Sequence, residues 1–189
     1  MFSGKTEELI RRLRLAQVAG KRVQVFKPSI DKRYSDSEIV THDNLRMRSE
    51  AIESAGEIPG RISGSTEVVG IDEVNFFGDA LNDVAGQLAD EGKQVIVAGL
   101  DTDYLRRPFP PMPNLLATAE SLTKMFAVCV RCGAPAKHTQ RLVESEELIL
   151  VGAVGCYEAR CRRCFELGIP RQAVPDLKFE GQNRISLLD

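Results

Sequence analysis

The chain has 189 residues, 43% hydrophobic and 28% charged, an ordinary globular composition with apolar material for one good core or a core plus a small appendage. Its 25 basic and 27 acidic residues give a net charge of −2, without the basic surplus of proteins that live on nucleic acid or anionic lipid, so a small-molecule partner fits better. The longest apolar runs, Val95 to Leu100 and Leu148 to Val154, fall far short of the roughly 20 residues that span a bilayer, and Lys5, Glu7 and Glu8 interrupt any signal peptide; a cytoplasmic protein without nucleic-acid or membrane partners is expected.

Met1-Phe2-Ser3-Gly4-Lys5-Thr6 has the form of the second half of a G-x-x-x-x-G-K-[ST] phosphate loop. In such a loop the backbone amides wrap a polyphosphate, the lysine reaches the β and γ phosphates, and the hydroxyl residue holds Mg²⁺. Gly4, Lys5 and Thr6 match the last three positions, while the first glycine would fall one or two residues before Met1, so an earlier start with a leading apolar strand is expected. The competing reading of Gly-Lys-Thr alone is a solvated turn. From Thr6 to Ala19 the apolar residues Leu9, Ile10, Leu13, Leu15 and Ala16 follow a helical stripe that stops at Gly20, so a helix begins at the loop and aims its positive dipole end at the same phosphates.

Val23-Gln24-Val25-Phe26, closing at Pro28, reads as a buried strand, and Val68-Val69-Gly70-Ile71 as a second that ends at Asp72-Glu73. Gly78 to Glu91 has a helical stripe of Leu81, Val84 and Leu88 with Gly92 as its stop, and Val95 to Leu100 is a third strand. The alternation predicts an α/β fold with a parallel sheet, which places ligands at the carboxyl ends of its strands, where Asp31, Arg33, Asp72, Glu73, Asp101 and Asp103 lie. The proline-rich stretch from Arg106 to Pro113 reads as a surface loop. The expected division is a core over 1–126, a second unit over 127–168 and a loosely ordered tail over 169–189.

Two constellations carry chemistry. Cys129-x-x-Cys132 and Cys161-x-x-Cys164, with 28 residues between them, have the spacing of two knuckles around a tetrahedral Zn²⁺. The alternative is two reduced or disulfide-bonded pairs; disulfides are rare in the cytosol, which favours zinc. Four thiolates close the site to catalytic water, so the metal is structural and ties the base of the segment between the knuckles. Cys156 is left over as a pocket or core thiol. The second constellation is Asp72-Glu73 at the end of an apolar strand. Asp72 suits Mg²⁺ bound with ATP, and Glu73 can take a proton from an attacking hydroxyl while Lys5 and an arginine stabilise the phosphoryl oxygens. Against this stands a helix cap or solvated turn. Asp31-Lys32-Arg33-Tyr34 offers an arginine clamp or a solvated charge cluster, and His42 and His138 read as surface or satisfied histidines.

Taken in order, Phe2-Ser3-Gly4-Lys5-Thr6, Asp31-x-Arg33-Tyr34, Ile71-Asp72-Glu73-x-x-Phe76-Phe77, Ala98-Gly99-Leu100-Asp101 and the cysteine knuckles around Tyr157 resemble the zinc-containing (type II) thymidine kinases, over about residues 1–167. The resemblance implies a RecA-like ATP-binding core with a small zinc-bound lasso domain, and 5′-phosphorylation of thymidine by ATP. It implies an ATP side of Ser3, Gly4, Lys5, Thr6, Asp31, Lys32, Arg33, Asp72, Glu73, Val74 and Asn75, with Thr6 and Asp72 on magnesium and Glu73 as catalytic base. It implies a nucleoside side of Tyr104, Leu148, Ile149, Leu150, Val151, Gly152 and Tyr157, with Met1, Phe76, Leu100 and Thr139 as pocket walls. It also implies feedback inhibition by dTTP and a homotetramer. The chain departs from the family at Ala153, Val154 and Gly155, where a second glycine and an acidic residue are usual, and at Asn75 in place of glutamine. Competing readings are another P-loop phosphotransferase or ATPase with a zinc ribbon, and a nucleic-acid-binding module using Arg131, Arg141, Arg160, Arg162 and Arg163.

Overall fold

The computed structural model describes residues 2–31, 38–40, 45–144 and 155–168. Helix α1 (Lys5–Val18) starts directly at Gly4, whose left-handed backbone (φ 75°) turns the phosphate-loop segment into the helix. It buries Leu9, Ile10 and Leu13. Leu15 does not join that stripe: it is 55% exposed, because its position in the helical repeat turns it away from the sheet.

Strand β1 (Val23–Pro28) is followed by a small antiparallel hairpin, β2 (Glu38–Val40) with β3 (Arg46–Arg48), and then by β4 (Glu50–Ile52) and the single turn α2 (Ile58–Arg61). Next come β5 (Val68–Ile71), α3 (Ala80–Asp90) and β6 (Gln94–Val97), which ends three residues before the strand expected from sequence. The main sheet has the order β4-β1-β5-β6, and every pairing in it is parallel. A helix α4 (Met112–Thr118) occupies part of the stretch where proline content suggested only a loop; Pro113 is tolerated in its first turn, where no intrahelical N–H bond is needed.

All four residues of β5 are buried, as expected of a parallel strand covered on both faces. Side-chain alternation divides the core. Val25 and Val68 pack with Leu9, Ile10 and Leu13 of α1 on one side, while Phe26, Val69 and Ile71 pack with Leu81, Leu88 and Leu115 on the other. Gly70 makes the first contact possible: a Cβ there would lie 2.6 Å from Leu13 Cδ1, so glycine lets α1 settle onto the central strand.

The cysteine-bearing unit consists of two antiparallel pairs, β7 (Ala127–Val128) with β8 (Pro135–Ala136) and β9 (His138–Arg141) with β10 (Tyr157–Arg160). Its buried apolar cluster is Ala127, Cys129, Ala136, Ala159 and Cys161. Side chains this small bury too little apolar area to hold a fold together, which leaves a stabilising role for a metal.

Candidate active site

The site forms where the start of α1 meets the carboxyl end of β5. Thr6 Oγ1 donates a hydrogen bond to Asp72 Oδ2 at 3.0 Å, joining residues 66 positions apart. Lys5 Nζ lies 3.7 Å from Glu73 Oε1, so the two halves of the sequence motif meet side chain to side chain. Asp72 Oδ1 accepts from the Glu73 amide at 2.9 Å. Glu73 itself sits in the left-handed region (φ 48°) at the head of a one-turn 3₁₀ segment, Val74–Phe76. A non-glycine residue there carries strain, and strained positions held by their surroundings concentrate at working sites.

What holds this turn is visible. The Val74 amide donates to Ala98 O at 3.0 Å, and the Leu100 amide donates to Asn75 Oδ1 at 2.9 Å, which stitches the turn to the chain leaving β6. Gly99 is required between them: a Cβ would stand 2.5 Å from Val74 Cγ2 and 3.1 Å from Asn75 Oδ1. Val74 is fully buried, and its side chain packs in the hydrophobic core beneath the turn.

Burial pushes the Asp72 carboxyl up to about 6, with the charge of Glu73 adding to it; Lys5, the Glu73 amide and the Thr6 hydroxyl pull the other way. A buried carboxylate beside a hydroxyl, with another acid next to it, is a donor set short of positive charge. That chemistry fits a divalent cation, and Thr6 and Asp72 are the pair that would hold Mg²⁺.

A second cluster lies where the loop after β6 meets the β9-β10 hairpin. Asp103 Oδ1 accepts from the amides of Leu105 and Arg107, each at 2.8 Å, and so folds the turn that carries Tyr104. The Arg141 guanidinium carbon is 3.7 Å from the Tyr104 ring centroid, and Arg141 Nη2 donates to the Tyr157 hydroxyl at 2.8 Å. Tyr157 is the register partner of Arg141, and Thr139, on the same face as Arg141, is buried. Arg141 thus joins Tyr104 to Tyr157. Sequence reading assigned it no place here, because stacking between a core loop and a distant strand leaves no local signal. The nucleic-acid reading loses two of its five arginines: Arg141 and Arg160 are each 1% exposed and turned inward, to Tyr104 and Tyr157 and to Glu158 and Glu166, while Arg131, Arg162 and Arg163 are exposed.

The thiols of Cys129, Cys132, Cys161 and Cys164 all lie within 4.8 Å of one another. Gly133 (φ 72°) closes the first knuckle, with its amide bonded to Cys129 O at 2.8 Å, and the Cys164 and Phe165 amides bond to Cys161 O in the second. Burial opposes ionisation of Cys129, but donation from Cys161, Arg131 and Cys132 holds its thiol down to about 6, whereas the neighbouring thiols push Cys164 up to about 12. Four crowded sulfurs that cannot all ionise alone form a donor set suited to a tetrahedral metal ion.

Of the remaining expected positions, Asp31, Phe76 and Leu100 are placed near the strand ends, and Leu100 packs against the core. Met1, Lys32, Arg33, His42, the run Leu148, Ile149, Leu150, Val151 and Gly152, and the tail over 169–189 lie outside the described residues. One histidine expectation is corrected. His138 is 3% exposed and neither ring nitrogen has a hydrogen-bond partner among the described residues, so it is neither a surface nor a satisfied residue there.

A parallel α/β sheet, a Gly-Lys-Thr helix start whose hydroxyl meets a buried strand-end aspartate, and a separate cluster of four cysteines that could hold a metal ion define an α/β protein with the arrangement of a phosphate-loop site and a second, cysteine-bearing unit. The thymidine kinase family model matches residues 1–165. A thymidine kinase from Rhodothermus sp. (strain ITI 518) is 55% identical over 166 residues, covering 88% of this chain and 78% of the relative. Another, from Bdellovibrio bacteriovorus (strain ATCC 15356 / DSM 50701 / NCIMB 9529 / HD100), is 55% identical over 180 residues, covering 95% and 87%. The chain belongs to the thymidine kinase family.

Proposed function

We propose that the protein transfers the γ-phosphoryl group of ATP to the 5′-hydroxyl of thymidine, giving dTMP and ADP. The observation that carries this reading is the convergence of Lys5 and Thr6 on Glu73 and Asp72. Ser3, Gly4, Lys5 and Thr6, with Asp31, Lys32, Arg33 and the turn from Asp72 to Asn75, form the ATP side. Glu73 accepts the proton of the 5′-hydroxyl as that oxygen bonds to the γ-phosphorus; the bond to the bridging β,γ oxygen breaks, and its electrons leave with ADP. Lys5 places its charge against the phosphoryl oxygens. A triphosphate competes with Glu73 for Lys5. Mg²⁺, held by Thr6 and Asp72, supplies charge neutralisation of the phosphates when bound.

The nucleoside is received by Tyr104, Thr139 and Tyr157, with Arg141 bracing both tyrosines, and by main-chain groups of 148–152. Met1, Phe76 and Leu100 wall the pocket. Zn²⁺ on the four cysteines is structural and anchors the segment between the knuckles. Inhibition by dTTP, assembly as a homotetramer and a cytoplasmic location belong to the same reading; none of the described helices is long and apolar enough to cross a membrane. Incubating the zinc-loaded protein with γ-labelled ATP, Mg²⁺ and a panel of nucleosides tests the proposal. Label is expected on thymidine, with purine nucleosides unlabelled; label on water alone would replace the kinase reading with an ATPase.

A further inference from the structure

Beside the nucleoside-side cluster, but on the opposite face of β9, is a cleft of about 430 Å³ lined by Thr102, Leu105, Arg106, Lys137, His138 and Arg162. Strand alternation separates it from the other site: Thr139 and Arg141 point one way, and His138 points the other. Among the described residues that line it, three of six are cations and none is an acid. No ion pair engages Arg106, Lys137 or Arg162 among the described residues. Arg106 instead lies over the Phe165 ring at 5.1 Å and holds a left-handed backbone (φ 65°). The acid nearest in effect, Asp101, is bonded to Lys124 at 3.2 Å.

His138 adds an independent observation. Its ring packs against Phe165 with centroids 5.1 Å apart, and both nitrogens are buried without a partner among the described residues. Burial, then Lys137, Arg162 and Arg106, lower its pKa, with Asp101 acting weakly against them, so the imidazole is neutral and has one N–H to give. A buried donor without an acceptor, among cations without anions, lacks the same thing twice over.

We propose that this cleft binds a phosphate-bearing anion, held by Arg106, Lys137, Arg162 and an N–H of His138, separately from the phosphoryl-transfer site and independently of that assignment. Occupancy would join the loop after β6 to both the β9 hairpin and the second cysteine knuckle, and so clamp the metal-tied unit to the core.

The chain has two histidines, so ¹⁵N-histidine labelling gives a local readout, with His138→Phe assigning the resonance. The zinc-loaded protein is titrated with inorganic phosphate and with tripolyphosphate at constant ionic strength, against chloride. The expected result is a saturable shift of the His138 ring, with affinity about 5- to 10-fold weaker in Lys137→Gln and in Arg162→Gln and unchanged in Lys5→Met. Tighter binding of tripolyphosphate would assign the cleft to a polyphosphate tail, and equal binding to a single phosphate group. No shift beyond that of chloride, equal affinity in both cleft variants, or loss of the shift in Lys5→Met would overturn the proposal. Lys137 is exposed, so its variant is expected to fold normally.

Discussion

At the residue scale the site turns on two adjacent acids with different surroundings. Asp72 is fully enclosed and its carboxyl is pushed up to about 6, so in the folded protein it holds its proton longer than in the unfolded chain, where 3.8 is usual. Ionising it therefore weakens folding. The penalty is absent below about pH 4, grows as pH rises to about 6 and is constant above that; it amounts to at most about 3 kcal/mol. Asp72→Asn removes the charge and keeps an acceptor for the Glu73 amide. In magnesium-free buffer it is expected to raise the melting temperature at pH 8, with the advantage shrinking toward pH 5. A pH-independent difference between the two proteins would show that the burial of this charge is not what separates them.

Elements place these acids, and here the sequence was informative to a degree set by locality. The stripes of α1 and α3 and the apolar runs of β1 and β5 repeat at short range, and each was legible within one or two residues. The pairs β2 with β3 and β7 with β8 are two or three residues long and depend on tertiary pairing, so no periodicity announced them. The stitch from Asn75 to Leu100 and the bracing of Tyr104 by Arg141 join residues 25 and 37 positions apart (100 − 75 and 141 − 104), beyond the reach of any local pattern. Gly99 shows how strictly the elements fit. Gly99→Ala is expected to destabilise the fold by about 1–3 kcal/mol, since Val74 is branched and buried and cannot swing aside. Because the displaced turn carries Glu73, turnover should fall more than thymidine affinity. Wild-type melting and turnover would show that the turn yields without consequence.

At the scale of the whole molecule, the sheet-based part and the cysteine-bearing part differ in self-sufficiency. The sheet-based unit has core layers on both faces, whereas the cysteine-bearing unit has a core of small side chains and four thiols poised around one point. The paired Cys-x-x-Cys spacing was legible because knuckle geometry is local; the inward turn of Arg141 and Arg160 was not, because burial of a cation depends on partners supplied by other segments. Metal analysis is expected to find one zinc per chain. Cys161→Ser should lower the melting temperature and raise the thymidine KM while leaving ATP affinity nearly unchanged, since the loss is confined to the cysteine-bearing unit. A metal-free preparation with the same melting temperature and KM as the zinc-loaded protein would contradict a structural metal.

The central claim is that Glu73, held by Lys5 at the end of β5, takes the proton of the attacking hydroxyl. It is tested most directly by measuring single-turnover phosphoryl transfer and both substrate affinities in Glu73→Gln, which deletes the base and keeps its shape. ATP and thymidine are expected to bind nearly as in the parent while transfer slows by about 10²- to 10⁴-fold at neutral pH. Transfer at the parent rate, with both substrates bound, would show that the proton goes elsewhere.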